Sequence, residues 1–142
     1  MAHSNIIERK IKTAYDYVMQ NNGLTSNELE EIQDMLEDAL HAKYGLYYLQ
    51  GGDKRTDKER IACEAINCRQ MAISCIVYGT DYNFVENGEL TKYGVQYGEV
   101  LGKELAIRLF NNQKQLISRS KIKTNVFEDG EGVTYNSVVW AK

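Results

Sequence analysis

Few side chains in this sequence stand at spacings that could do chemistry. Asp38 and His41 are three apart, which on a helix puts a carboxylate and an imidazole on one face as potential metal ligands, with Glu37 adjacent. A two-metal bundle needs a second such pair on another helix. The only other histidine is His3, so a surface pair is expected here and no metal. Cys63, Cys68 and Cys75 fall within one apolar segment and form no Cys-x-x-Cys, a pattern of buried free thiols rather than of a redox centre. The chain has no phosphate-binding glycine loop, nucleophile elbow or zinc-protease helix, and no histidine placed to serve a nucleophile. Asp129-Gly130-Glu131-Gly132 lacks the alternating oxygen ligands of a calcium loop and reads as a turn. A protein without catalytic residues or cofactor is the expectation.

Features suited to contact with other polypeptide are more prominent. The run from Tyr93 to Gly102 spaces Gly94, Gly98 and Gly102 four apart, on one face of a continuous helix. Each glycine costs a helix about 1 kcal/mol relative to alanine, so the run predicts an offsetting contact. A bare strip lets another backbone approach, from the same chain, from a second subunit, or with a ligand lying between Tyr93 and Tyr97. Near the carboxyl end, Lys121, Lys123, Phe127, Tyr135 and Trp140 combine cations with aromatics, a set suited to gripping a protein groove and less suited to single-stranded nucleic acid. Glu28, Glu30, Glu31, Asp34, Glu37 and Asp38 crowd one segment, whereas Lys103, Arg108, Lys114, Arg119, Lys121 and Lys123 dominate another. The two can be solvated faces, can neutralise each other within a monomer, or can meet between subunits of a ring.

The elements that must position these residues are mainly helical. Asn5 with Glu8 reads as a capping pair opening a first helix through Ile7, Ile11, Ala14, Tyr15 and Val18, ended by Asn21-Asn22-Gly23. Thr25 and Glu28 form a capping box flanked by Leu24 and Leu29. The stripe Leu29, Ile32, Met35, Leu36, Ala39, Leu40, Tyr44, Tyr47 then runs to a stop at Gly51-Gly52. Thr56 and Glu59 repeat the box and open a third helix, apolar on most sides and expected to be central, ended by Gly79. Thr80 to Gly88 reads as a loop with Phe84 and Val85 tucked inward and a turn at Asn87-Gly88. A long fourth helix is expected from about Thr91 to Ser118 on Val95, Leu101, Leu105, Leu109 and Leu116. After Ser120 the period changes to two, predicting a β-hairpin that must lie on the bundle or on another chain, because two strands alone are marginal in water. The expected fold is mainly α: a bundle of about four helices over residues 1–120, with a C-terminal β-hairpin arm over 121–142.

Composition is compatible with this picture. At 142 residues, 43% hydrophobic and 26% charged, the chain suits one ordinary core. A formal charge of −3 lacks the basic signature of a nucleic-acid binder. Three clustered cysteines fit a reducing, cytoplasmic compartment, the first residues lack the apolar core of a signal peptide, and no apolar run approaches membrane-spanning length. The absence of proline suits long helices.

A helical core followed by a short β-rich arm, beginning Lys121-Ile122-Lys123-Thr124 and passing through Gly132-Val133-Thr134-Tyr135, resembles the head-to-tail adaptor proteins of tailed bacteriophages. The resemblance is architectural, with the tail as its sequence support. It implies a ring-forming connector, present in host cytoplasm or virion, whose arm docks on a neighbouring subunit, a portal or a tail protein. The expectation is a non-enzymatic homo-oligomeric assembly protein, with a small phage or bacterial factor that sequesters a nucleotide-like ligand or blocks a host protein as the alternative.

Overall fold

A computed structural model describes residues 2–78, 83–119, 122–128 and 134–140, with side chains described over 5–75 and 83–116. Five helices form among them: α1 (Ala2–Val18), α2 (Ser26–Tyr44), α3 (Asp57–Tyr78), α4 (Val95–Leu101) and α5 (Lys103–Arg119). Two antiparallel pairs complete the fold, β1 (Val85–Glu86) with β2 (Glu89–Leu90) and β3 (Ile122–Glu128) with β4 (Thr134–Trp140).

Helix α3 is the hub. It packs against α1, α2, α4 and α5, and the alanines on its buried stripe, Ala62, Ala65 and Ala72, let those neighbours come close. Around them Ile11, Val18, Leu24, Leu36, Leu40, Ile66 and Leu109 form one continuous core. Phe84 enters that core from the β1–β2 side, stacked on Tyr97 at 5.0 Å between centroids and edge-on to Phe110 at 4.3 Å. Asn87 and Gly88 both take positive φ, 53° and 77°, the primed turn whose twist matches a tight hairpin. The Asn87-Gly88 turn is therefore where the sequence places it, but it joins a two-strand ladder rather than ending a loop.

The capping boxes hold. Thr25 Oγ1 accepts from the Glu28 N–H while Glu28 accepts from the Thr25 N–H, and Thr56 and Glu59 exchange the same two bonds. Leu24 and Leu29, the staple residues, are fully buried. Other boundaries move. Helix α1 already includes Asn5, which therefore caps nothing. Helix α2 ends at Tyr44 because Gly45, at φ 94°, takes a conformation that other residues adopt only under strain. The segment around Tyr47 thus belongs to a loop and not to the helical stripe. Gly79 lies outside the described residues.

The expected single fourth helix is two helices. Gly102, at φ 84° and ψ 146°, donates its N–H to the Gly98 carbonyl to close α4, and its own carbonyl accepts from Ala106 to open α5. The chain turns a corner there, so Gly94, Gly98 and Gly102 do not share one helix face. Gly94 is the N-cap of α4 instead. A Cβ at that position would land on the Phe84 carbonyl oxygen and within 2.7 Å of the Phe84 Cβ. Backbone cannot yield as a side-chain tip can. Gly94→Ala is expected to lose about 2 kcal/mol by overpacking, whereas Gly98→Ala, which crowds only the movable end of Leu90 and meets Lys103 at ordinary contact distance, should sit near neutral once the helix preference for alanine is counted. Parallel urea melts of the two variants check this, and equal midpoints would refute it.

The tail is a hairpin as expected. Its register runs Ile122↔Trp140, Lys123↔Val139 through Phe127↔Tyr135 to Glu128↔Thr134, and β4 approaches α3. The turn at 129–133 lies outside the described residues.

Candidate functional site

Two buried polar knots hold the helices in place. Arg69 sits on the buried stripe of α3, fully enclosed, and has no carboxylate partner among the described residues. Its Nε donates to the Val18 carbonyl at 2.8 Å, Nη2 to the Gln20 carbonyl at 2.5 Å and Nη1 to Gln113 Oε1 at 3.3 Å. The guanidinium thereby satisfies carbonyls exposed where α1 ends, at the negative pole of that helix. Gln113, on α5, clasps Leu24 on both backbone groups, donating to its carbonyl at 2.6 Å and accepting from its N–H at 2.9 Å. Burial pulls the Arg69 pKa down to about 10, which leaves the group a cation at neutral pH.

In the second knot Glu59 is almost wholly buried. It accepts from Tyr44 at 2.6 Å, from Lys43 at 2.8 Å and from the Thr56 N–H at 2.8 Å, and Lys43 also pairs with Glu8 of α1 at 2.6 Å. Burial would raise the Glu59 pKa, but these hydrogen bonds outweigh it and hold the carboxyl below its ordinary range. Both knots are structural, and no buried side-chain polar atom among the described residues lacks a partner.

The loop between α2 and α3 has a different character. Leu46, Tyr47 and Leu49 are 70%, 72% and 54% exposed, an apolar set standing in water. The loop around them is pinned. Tyr48 donates to Glu37 at 3.2 Å and packs against His41, while Arg55 lies over the Tyr48 ring and chelates Asp53. The Arg55 guanidinium holds Asp53 down to about 2, and burial beside Glu37 pushes Tyr48 up to about 12. Leu46, Tyr47 and Leu49 are therefore presented on an ordered platform.

Three concavities open along α2 among the described residues. The largest, about 570 Å³ between α2 and α3, is walled by Glu30, Asp34 and Glu37 over Leu29 and Ile73. A smaller one of about 140 Å³ holds Cys63 beside Arg55, Tyr48 and Asn67. The third, about 220 Å³, opens between α1 and α2 over Ala14, Tyr17, Ile32 and Met35. His41 Nε2 lies 3.3 Å from Glu37, the i, i+4 neighbour, and no group of three or more potential ligands is assembled among the described residues.

The cysteines separate by burial. Cys68 and Cys75 are enclosed, and burial pushes the Cys68 thiol up to about 12. Cys63 is half-buried, raised by burial and drawn back by the Arg55 guanidinium. Iodoacetamide is expected to modify Cys63 first in the native protein and the other two only after unfolding, as mass spectrometry of timed samples would read. Native labelling of Cys75 at the rate of Cys63 would contradict this.

Of the residues singled out in the sequence, Tyr97 is 5% exposed and committed to Phe84, so Tyr93 and Tyr97 do not together line a groove. Gly94 and Gly98 meet Phe84 and Leu90 of their own chain, and Gly102 marks the α4–α5 corner. In the docking arm, Lys121 lies outside the described residues, as do the side chains of Lys123, Phe127, Tyr135 and Trp140. The backbone register places Phe127 opposite Tyr135 and Ile122 opposite Trp140, in opposite phases of the strand repeat. No family model matches this chain, and no curated protein and no solved structure matches it either. No helix among the described residues is long and apolar enough to cross a membrane.

Proposed function

We propose that this chain is a non-enzymatic assembly protein that joins other polypeptide, in the first place copies of itself. The observation that carries the reading is the pinned loop with Leu46, Tyr47 and Leu49 held in water. Fully burying a side chain of this size is worth about 1.5–3 kcal/mol, and a platform already ordered by Tyr48 and Arg55 keeps the entropy lost on docking small.

The charge layout supports the same reading. Glu30, Glu31, Asp34 and Asp38 are exposed along α2, and none has an ion-pair partner among the described residues. The exposed Arg108 and Lys114 belong to α5, and α2 and α5 pack on α3 rather than mainly on each other. Opposite charges held on separate sides of one molecule favour contact between a face of one copy and a different face of the next. The specific form proposed is a ring connector of the phage head-to-tail kind, with the β3–β4 hairpin as docking arm. An acidic α2–α3 groove and a net negative chain make nucleic acid a poor partner.

Light scattering over a concentration series tests the proposal. A native mass at a multiple of the monomer, reduced when Leu46 and Leu49 are replaced by serine, is the expected result. A strict monomer that also fails to bind a portal or tail protein overturns it.

A further inference from the structure

We infer that the α1–α2 groove is the socket for Tyr47 of a second copy of this chain, a head-to-tail contact that rests on the assembly reading above. The socket measures about 220 Å³ and is lined by Ala14, Tyr17, Ile32 and Met35, with Thr13 at its edge. Its size suits one aromatic ring, and its walls are largely hydrocarbon. The chain itself displays a matching group, Tyr47, which is 72% exposed and stands on the pinned loop. An amphipathic ring seats its body in such a socket while its hydroxyl remains at the wet rim.

Charge identifies the same occupant. The rim carries Glu28 and the exposed Glu31. Glu28 already accepts from the Tyr17 hydroxyl at 3.0 Å, whereas Glu31 has no ion-pair partner among the described residues. The loop that bears Tyr47 also bears Lys54, exposed and without an ion-pair partner among them. Docking the loop brings Lys54 towards Glu31, which favours a copy of this chain over an acidic partner.

The two features do not meet in the described fold, where Tyr47 is 72% exposed and lines no part of the groove. The socket opens on the α1 side of α2, whereas the loop that bears Tyr47 folds back on the α3 side, where Tyr48 reaches Glu37. Knob and socket are separate patches of one molecule, so each copy offers one of each, and the contact is heterologous: it closes a ring or propagates a filament according to the rotation between copies.

Two exposed substitutions test this, each leaving one half of the contact intact. Tyr47→Ala removes the knob and Thr13→Trp fills the socket. Each alone is expected to weaken self-association at least tenfold by analytical ultracentrifugation, with circular dichroism unchanged. Mixed together, the intact socket of the first and the intact knob of the second should give a 1:1 heterodimer that grows no further. Lys54→Glu and Glu31→Lys, both at exposed positions, provide a second pair. Each should weaken association, and the doubly swapped chain should recover it. Wild-type mass retained by either knob or socket variant overturns the inference, as does a mixture of folded variants that stays monomeric. If the wild-type chain is itself monomeric this inference falls, and the assembly reading falls with it when portal and tail proteins also go unbound, whereas an oligomer indifferent to all four substitutions leaves that reading standing and removes only the Tyr47 socket.

Discussion

Replacing Arg69 by alanine is expected to lower unfolding free energy by about 4 kcal/mol, the largest effect of any single substitution considered for this chain. The magnitude follows from what remains behind. The Val18 and Gln20 carbonyls would lose their donors, at about 1–3 kcal/mol for each buried group left unpaired, and the vanished stem would leave a void between α1, α3 and α5. Arg69→Met separates the two causes, because it restores most of the stem but none of the hydrogen bonds. Its loss should lie between wild type and alanine. Against a typical total stability of about 5–15 kcal/mol, the alanine variant should be marginal at body temperature. Urea denaturation followed by circular dichroism gives the measurement, and a loss under about 1 kcal/mol would show that water takes over the guanidinium's role. Because Gln113 bonds both Arg69 and Leu24, Arg69→Ala and Gln113→Ala should be non-additive, with a coupling of about 1 kcal/mol in a double-mutant cycle.

This knot also shows where sequence reading stops. The helical class, the two capping boxes, the central third helix and the terminal hairpin were all legible, because each rests on local spacing: a Thr-x-x-Glu pair or a repeat of 3.6 or 2.0. Arg69 had a signal too. Ala62, Ala65, Ile66, Arg69 and Ala72 recur at core spacing, so a charged residue occupies a position that burial would select for hydrocarbon. What spacing could not supply was the partner, since Val18 and Gln20 lie about fifty residues away and bond through backbone atoms that any residue possesses. The corner at Gly102 failed for a different reason. Glycines four apart fit a continuous helix as well as they fit two helices meeting at a left-handed residue, and only the surrounding packing selects the second.

The exposed loop set was less legible than the helices. The glycine run could meet its own chain, a second subunit or a ligand, and Gly94 and Gly98 take the first course, against Phe84 and Leu90. Leu46, Tyr47 and Leu49 do not read as an exposed set, because Tyr47 continues the apolar stripe of α2 by periodicity and a stripe is ordinarily assigned to the core. Gly45 decides otherwise. By ending the helix at Tyr44 it turns the next residues outward, a consequence of one positive φ that a hydrophobicity pattern does not record.

Glu59 carries the second large prediction, and its sign can be worked out. The folded carboxyl lies below its ordinary value of 4.5, held there against burial by Lys43, Tyr44 and the Thr56 N–H. A carboxylate depressed in the folded state contributes stability that is fully present above its unfolded pKa and lost as pH falls through the folded one. Glu28, depressed by the Thr25 N–H, acts in the same direction. Stability should therefore hold near neutrality and fall below about pH 4.5. Glu59→Gln keeps the shape but cannot carry the charge that Lys43 and Tyr44 are arranged to meet. A loss of about 3 kcal/mol at pH 7 is expected, in the range seen when one partner of a buried pair is removed. The same variant should lose less on acidification than wild type, because the group responsible for part of that slope no longer titrates. Thermal melts at pH 7 and pH 3.5 on both proteins decide the matter. Equal acid sensitivity would place the titrating groups elsewhere and would reduce Glu59 to a helix cap, whereas a flattened acid limb ties α1, α2 and α3 together through one buried charge.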